Sequence, residues 1–395
     1  MSGGLLQLVA YGSQDIYLTG NSQITFFKIV YRRHTNFAIE AIEQTFNGTV
    51  DFGRRVSATI SRNGDLIHKM YLQVDIPATT GGTGFAWVNY LGETMIKEVE
   101  VSVGGTRIDR QYGQWLHIWG ELTLSKSIED TYKVMVGETS ALTTPGATTP
   151  AATLYVPLQF WFCRNAGLAL PLIALQYHEV KVDLEFRPVS ECYVGTAGST
   201  PVISSASLFC DYIFLDADER RQFAQNAHEY LIEQVQFTGS EAFSATSVRQ
   251  KLNFNHPCKE IVWVAQLDAN VTGATKDWTN FTNNTDPAVG ADHLVDAKLL
   301  LNGQDRFSTR KAGYFNLVQP YQHHTRGPAV GIYSYSFALN PEAHQPSGSV
   351  NMSRIDNATL QLSFASSGAM KLYTYAVNYN VFRVLSGMGG LAYAA

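Results

Sequence analysis

The stretch DYIFLDADERRQFAQNAHEYLIEQVQFTG, Asp211 to Gly239, decides how the chain is organised. It begins with the apolar run Tyr212-Ile213-Phe214-Leu215, which reads as a strand. It leaves through Tyr230, Ile232, Val235 and Phe237, which read as a second strand. Between them Asp216 or Asp218 can cap a short polar helix, with Glu219 in the first turn and Arg220 and Arg221 following. The rest of the chain signals almost nothing but β, so this charged helix reads as a joint between two β units. The expectation is that the two units are versions of one fold.

Length and composition agree. The 395 residues suit two domains of just under about two hundred residues each, large enough to bury a core without metal or disulfides. Only 16% of residues are charged, 12% are aromatic and 32 are glycine, which suits turn-rich β domains with a surface partly covered by other protein. The net charge of −5 argues against a protein that coats nucleic acid. Cys163, Cys192, Cys210 and Cys258 have no CxxC or zinc-ligand spacing. Cys163, Cys210 and Cys258 lie among apolar residues, as small buried hydrophobes do, and a reducing compartment is expected. The first twenty residues lack a basic start and a long apolar core, so no signal peptide is expected, and no run of eighteen apolar residues spans a membrane.

Along the chain, residues 1–25 form an arm apart from any strand pattern, with Leu5, Leu6, Leu8 and Val9 on one helical face and Tyr11 and Tyr17 beyond. Such an arm needs a surface to bury it. Strand signals then run from Phe37 to Phe46, Val56 to Ile60, Met70 to Ile76 and Val99 to Val103, several closed by Asn-Gly or Gly-Gly turns. Trp115, Leu116, Ile118, Trp119 and Leu122 recur at helical spacing, so a helix is expected inside a long connection. Ser140 to Thr153 reads as an exposed loop. Leu154–Cys163, a short run at Leu170–Leu175, Tyr177–Phe186 and Ser207–Leu215 complete eight strands.

After the joint the same order returns. Glu229–Phe237 parallels Glu40–Phe46; Ala297–Leu301 with Asn302-Gly303 parallels Val99–Val103 with Gly104-Gly105. Tyr333–Phe337 parallels Tyr155–Phe162, Thr359–Phe364 parallels Val182–Phe186, and Leu372–Val384 parallels Ser207–Leu215. The expected fold class is all-β: two tandem eight-stranded jelly-roll sandwiches with short helices in loops. The expected division is an arm at 1–25, a first jelly roll at 26–216, a linker helix at 217–227 and a second jelly roll at 228–395. Because alternate jelly-roll loops gather at one end, 47–53, 77–96, 187–205, 239–246, 268–292 and 365–371 are expected together at the outer end. The connections 104–153 and 303–330 are expected at the other.

Signatures of chemistry are missing. There is no GxSxG, GxxxxGK[ST] or GxGxxG, and Gly81-Gly82-Thr83-Gly84 opens no helix. His178-Glu179 and His228-Glu229 lack a second histidine four residues on and read as edge or capping residues. His323-His324 has no cysteine or carboxylate cluster near it in sequence and reads as chance adjacency. No catalytic, cofactor or metal site is expected, and no enzyme. Arg32, Arg33 and His34, after Tyr31, are the compact basic run, either a solvated edge or an interior or interface face. Sequons crowd into the polar loop 268–292, where Asn280 and Asn283 are the candidate glycan sites, although Asn/Thr richness alone accounts for most of the cluster.

GLLQLVAYGSQDIYLTGNSQITFFKIVYRRHTNFAIE (Gly4–Glu40) resembles the N-terminus of the major capsid proteins of large icosahedral nucleocytoplasmic DNA viruses, those infecting algae most of all. The resemblance continues through SRNGDLI (Ser61–Ile67), PLIALQYHEVK (Pro171–Lys181), HEYLIEQVQFTGSE (His228–Glu241), LNGQDRF (Leu301–Phe307) and SGMGGLAYA (Ser386–Ala394). Asn21-Ser22 departs from the family's usual Asn-Pro. The resemblance implies a double jelly roll whose homotrimers are pseudo-hexagonal capsomers of an icosahedral virion shell assembled in the host cytoplasm. It also implies an arm on the inner side, near neighbouring capsomers, minor capsid and penton proteins, with an inner membrane close by through the minor proteins. Direct nucleic-acid binding and cofactors are not implied. The competing readings are a glycan-binding sandwich and a glycoside hydrolase, the latter needing two carboxylates about 5–10 Å apart in a cleft.

Overall fold

The computed structural model describes residues 3–23, 29, 31–273 and 276–393. The chain separates into two compact units, Met1–Phe37 and Ala38–Ala395. In the first, Gly3–Val9 forms helix α1, none of whose residues is buried.

The second unit holds both jelly rolls. The first contains β1 (Phe37–Thr45), β2 (Arg55–Thr59), β3 (Leu66–Ile76), β4 (Ile96–Val103), β5 (Thr106–Tyr112), β6 (Ala152–Pro157), β7 (Val180–Phe186) and β8 (Ser205–Leu215). They form two sheets in the orders β1-β8-β3-β6 and β2-β7-β4-β5. The second contains β9 (His228–Phe243), β10 (Ser247–Leu252), β11 (Pro257–Leu267), β12 (Leu294–Leu301), β13 (Gln304–Asp305), β14 (Ile332–Ser336), β15 (Ala358–Phe364) and β16 (Met370–Leu385). Its sheets run β9-β16-β11-β14 and β10-β15-β12-β13. Adding eight to each strand of the first jelly roll gives the second, so the repeat expected from sequence is a repeat of topology.

Period-two patterning explains each strand's two faces. In β3, Met70, Leu72, Val74 and Ile76 are buried while Tyr71, Gln73 and Asp75 between them are only half-buried. β11 is buried along almost its whole length. Its Ile261, Trp263 and Ala265 join the second core, while Val262 and Val264 join a third cluster that lies between the jelly rolls.

The joint runs from β8 through α4 (Ala217–Gln225) into β9. The carboxylate of Asp216 caps the helix by accepting from the Ala217 amide at 2.8 Å. No side chain of this helix is buried, and Arg220 fastens it to Asp65 at 2.9 Å.

Four expectations need correction. The eighth strand of the first jelly roll is β5, not Leu170–Leu175, of which only Leu170–Pro171 pairs, as an addition to β3. Trp161–Arg164, read as the end of a strand, is a helical turn. The Ser140–Thr153 tract is not simply exposed: Leu142 and Thr149 are buried, and Thr79 and Phe85 bridge to Thr149 and Gly146. The long connections also lie at the other end from that expected. The Gly104-Gly105 turn reverses the chain, so the connection leaving β5 returns to the end where β4 began. There the Gly92 amide donates to the Val136 carbonyl at 2.8 Å. That connection holds α2 (Gly113–Thr123) and α3 (Glu129–Met135), the first being the helix expected from the tryptophan spacing. The segment after β13 returns in the same way through a π-helical turn, Tyr314–Val318, and α5 (Gln319–His323). No described helix is long and apolar enough to cross a membrane.

Candidate assembly surfaces

The surface whose geometry is visible in full is the junction between the jelly rolls. Trp115, Ile118, Trp119 and Leu122 fall on one face of α2. They are buried with Val235, Val262, Val264, Ile332, Tyr375 and Val377, which belong to the outer face of the β9-β16-β11-β14 sheet. Trp115 lies 5.2 Å from Tyr375, centroid to centroid, and the Tyr375 hydroxyl donates to Gln114 Oε1 at 2.7 Å. Gly113 lets the helix start this close to its own jelly roll: a Cβ there would sit 2.2 Å from the carbonyl oxygens of Glu93 and Ile96.

Charged groups ring this apolar contact. Glu233 on β9 sits between Lys259 on β11, 2.5 Å away, and Arg164 of the first jelly roll, 3.2 Å away. Lys259 is wholly buried; burial pulls its pKa down, against the opposing charge of Glu233. Arg164 also lies over the Trp119 ring at 4.8 Å. Arg326, from the connection after β13, reaches Glu129 at 3.1 Å and Glu121 at 3.4 Å in the first jelly roll. Hydrogen bonds from Lys126 and Lys133 hold the Glu129 carboxyl down at about 2. Where the edges of β5 and β9 meet, Val235 N donates to Asp109 Oδ1 at 3.1 Å, and Gln234 Nε2 donates to the Ile108 carbonyl. Burial pushes Asp109 up to about 7 although the Val235 amide and Gln111 Nε2 both donate to it.

Next to the junction, His324 corrects the reading of its dipeptide as chance. Its side chain is fully buried, with Nδ1 3.0 Å from Glu342 Oε1 and Nε2 3.0 Å from Glu260 Oε2. The Glu260 contact is an ion pair off the line of a hydrogen bond. Burial pulls the imidazole down, but the charge of Glu260 and the charge and hydrogen bond of Glu342 outweigh it and lift the pKa to about 9. The two carboxylates lie 64 and 18 positions away in sequence, so no local spacing could have revealed them. No group of three or more His, Cys, Asp or Glu among the described residues could hold a metal ion.

Leu5, Leu6, Leu8, Val9, Tyr11 and Tyr17 are all exposed, Tyr17 at 90%. Residues 1, 2, 24 and 25 of the expected arm lie outside the described residues. Arg32, Arg33 and His34 are exposed in the same unit, with His34 against the Phe37 ring. The loop 268–292 is less exposed than its polarity suggested. Asn280 is 2% exposed and its Nδ2 donates to the carbonyls of Asn284 and Thr285, whereas Asn283 is exposed. Trp278 from this loop donates to the Glu191 carbonyl at 2.9 Å and lies under Arg187 at 4.0 Å. The loop is therefore docked on the first jelly roll.

Comparison with known proteins follows the same two-part division. A family described as the major capsid protein N-terminus matches residues 25–216, and the large eukaryotic DNA virus major capsid protein family matches residues 219–390. The chain belongs to the large eukaryotic DNA virus major capsid proteins. The major capsid protein of Pyramimonas orientalis virus is 53% identical over the whole of both chains. The capsid chain of the PBCV-1 quasi-atomic model superposes with a TM-score of 0.80 at 41% identity, over 94% of this chain and 100% of that one. The Faustovirus major capsid protein has a TM-score of 0.83 at 13% identity, over 95% and 94% of the two chains, a likeness of fold alone. The family is structural rather than enzymatic, and its place is the virion capsid.

Proposed function

We propose that this chain is the main building block of an icosahedral shell, acting as a homotrimer in which six similar wedges form a pseudo-hexagonal capsomer. The observation that carries this is the one-to-one strand correspondence of two jelly rolls locked side by side. Three such chains supply six equivalent bodies. Function is then mechanical: large side-by-side contacts, commonly above about 2,000 Å² in obligate assemblies, replace catalysis.

The working division is an arm at 1–25, jelly rolls at 26–216 and 228–395, and a linker at 217–227. The exposed apolar arm suits contacts with neighbouring capsomers and with minor capsid and penton proteins, the last two bringing an inner membrane near. The loop-rich end, including 113–151 and 312–331, faces outward, where Asn283 can carry a glycan. Assembly in the host cytoplasm fits a chain whose four cysteines are all free.

Sedimentation tests the reading: the purified chain runs at three times 43.7 kDa, and a stable monomer at micromolar concentration defeats it. Deleting residues 1–25 leaves the trimer intact and impairs shell assembly; loss of soluble trimer would refute that role for the arm.

A further inference from the structure

The junction inside the chain joins two surfaces, and each has a counterpart elsewhere in the chain that the described residues leave exposed or half-exposed. The outer face of the second jelly roll's β9-β16-β11-β14 sheet is covered by α2 of the first. The matching face of the first jelly roll, on β1-β8-β3-β6, carries the aromatic row Tyr155, Tyr71 and Phe209. Tyr71 is stacked on Phe209 at 5.2 Å and lies 6.2 Å from Tyr155, which is 38% exposed.

Register makes the match residue by residue. β3 and β11 each have eleven residues, so end-to-end alignment sets Tyr71 on Val262 and Gln73 on Val264. The cross-strand partner of Tyr71 is Phe209 and that of Val262 is Tyr375. Tyr155 faces Gln73, and Ile332 faces Val264. The row Tyr155, Tyr71, Phe209 therefore occupies the positions of Ile332, Val262 and Tyr375, which α2 buries.

The covering element also has its counterpart. Trp115, Ile118, Trp119 and Leu122 are spaced three, one and three apart, and so are Tyr314, Leu317, Val318 and Tyr321 in the connection after β13. The first set is buried, whereas Leu317 is 63%, Val318 40% and Tyr321 88% exposed. Charge agrees with the pairing. The bare sheet face presents Glu43, Asp75 and Asp211 beside the exposed Lys69, and the exposed Arg310 and Lys311 lead into the bare helical segment.

We propose that the Tyr314–Tyr321 segment of one copy packs on the Tyr155–Tyr71–Phe209 face of the next, as α2 packs on the second jelly roll within the chain. The occupant of each surface is a second copy. Each copy offers one bare segment and one bare face, so the contact is head-to-tail, and in a trimer three such contacts close the ring. Trp115 on Tyr375 is the template for Tyr314 of one copy on Phe209 of its neighbour. This rests on the trimer reading and specifies the surface that makes it.

The test uses the full chain. Leu317→Asp with Tyr321→Asp is expected to reduce the sedimenting mass threefold, to 43.7 kDa, with far-UV circular dichroism unchanged. Val289→Asp, at another exposed apolar residue, leaves the trimer whole. For the pairing itself, Tyr314→Cys and Phe209→Cys are treated with a short bis-maleimide, to which the four buried native cysteines are closed. The double variant links between copies, a mixture of the singles links, and neither single links to itself. A trimer that survives the double aspartate change, or self-linking through Tyr314→Cys, overturns this surface while leaving the trimer standing. A wild-type chain that is monomeric overturns the trimer reading itself.

Discussion

Replacing His324 by glutamine tests whether a buried cation, rather than a buried polar side chain, pins the connection after β13. Glutamine keeps a donor for Glu342 and removes the charge facing Glu260. The imidazole titrates near 9 in the folded chain against an ordinary 6.5. That displacement corresponds to about 3 kcal/mol of stability. The sign follows from the raised folded pKa: the contribution is complete below pH 6.5 and is lost as pH rises through about 9. If the second jelly roll melts as a unit, the loss corresponds to about 6–12 °C in Tm. Scanning fluorimetry from pH 6 to pH 9.5 should show His324→Gln melting well below wild type at pH 6, with the gap closing above pH 9. Adding Glu260→Gln to the variant should recover much of the deficit, because no unpaired buried carboxylate is left. A gap that stays constant across the pH range would refute the reasoning.

Two other outcomes are expected from the same packing. Trp119→Ala removes an indole buried at the junction and stacked under Arg164, and should cost about 3–5 kcal/mol, read as a lower Tm and new protease cleavage near α2. Burial pushes Cys163, Cys192 and Cys258 up to about 12 and raises Cys210 as well. A disulfide reagent at pH 8 should therefore label none of them before unfolding and all four after it; rapid labelling of the native chain would contradict their burial.

The fold was legible because its signals are local. Alternation in Met70–Ile76, the Asn-Gly and Gly-Gly turns, and the tryptophan spacing of α2 each act within a few residues. The eighth strand was misplaced because Thr106–Tyr112 buries Ile108, Asp109 and Gln111, and two polar inward residues hide the period. Their burial depends on β9, over 120 residues away, where Asp109 finds the Val235 amide. The positions of the long connections failed for a related reason: a two-residue turn after β4 decides which end they reach. His324, Lys259 and Arg326 were not legible at all, since each is defined by partners far away along the chain. The apolar arm was visible as sequence, but a surface that waits for another molecule is marked only by what is missing around it.

The joint through α4 also changes the entropy of assembly. Six separate jelly rolls closing one ring would immobilise five bodies against the first, whereas three tandem chains immobilise two. At roughly 4–15 kcal/mol per association, those three fewer events lower the entropic cost by roughly 12–45 kcal/mol at molar standard state. Half of the ring's junctions form at the high effective concentration set by a nine-residue helix with no buried side chain. The joint thus needs little adhesion of its own to let capsomers form at low subunit concentration.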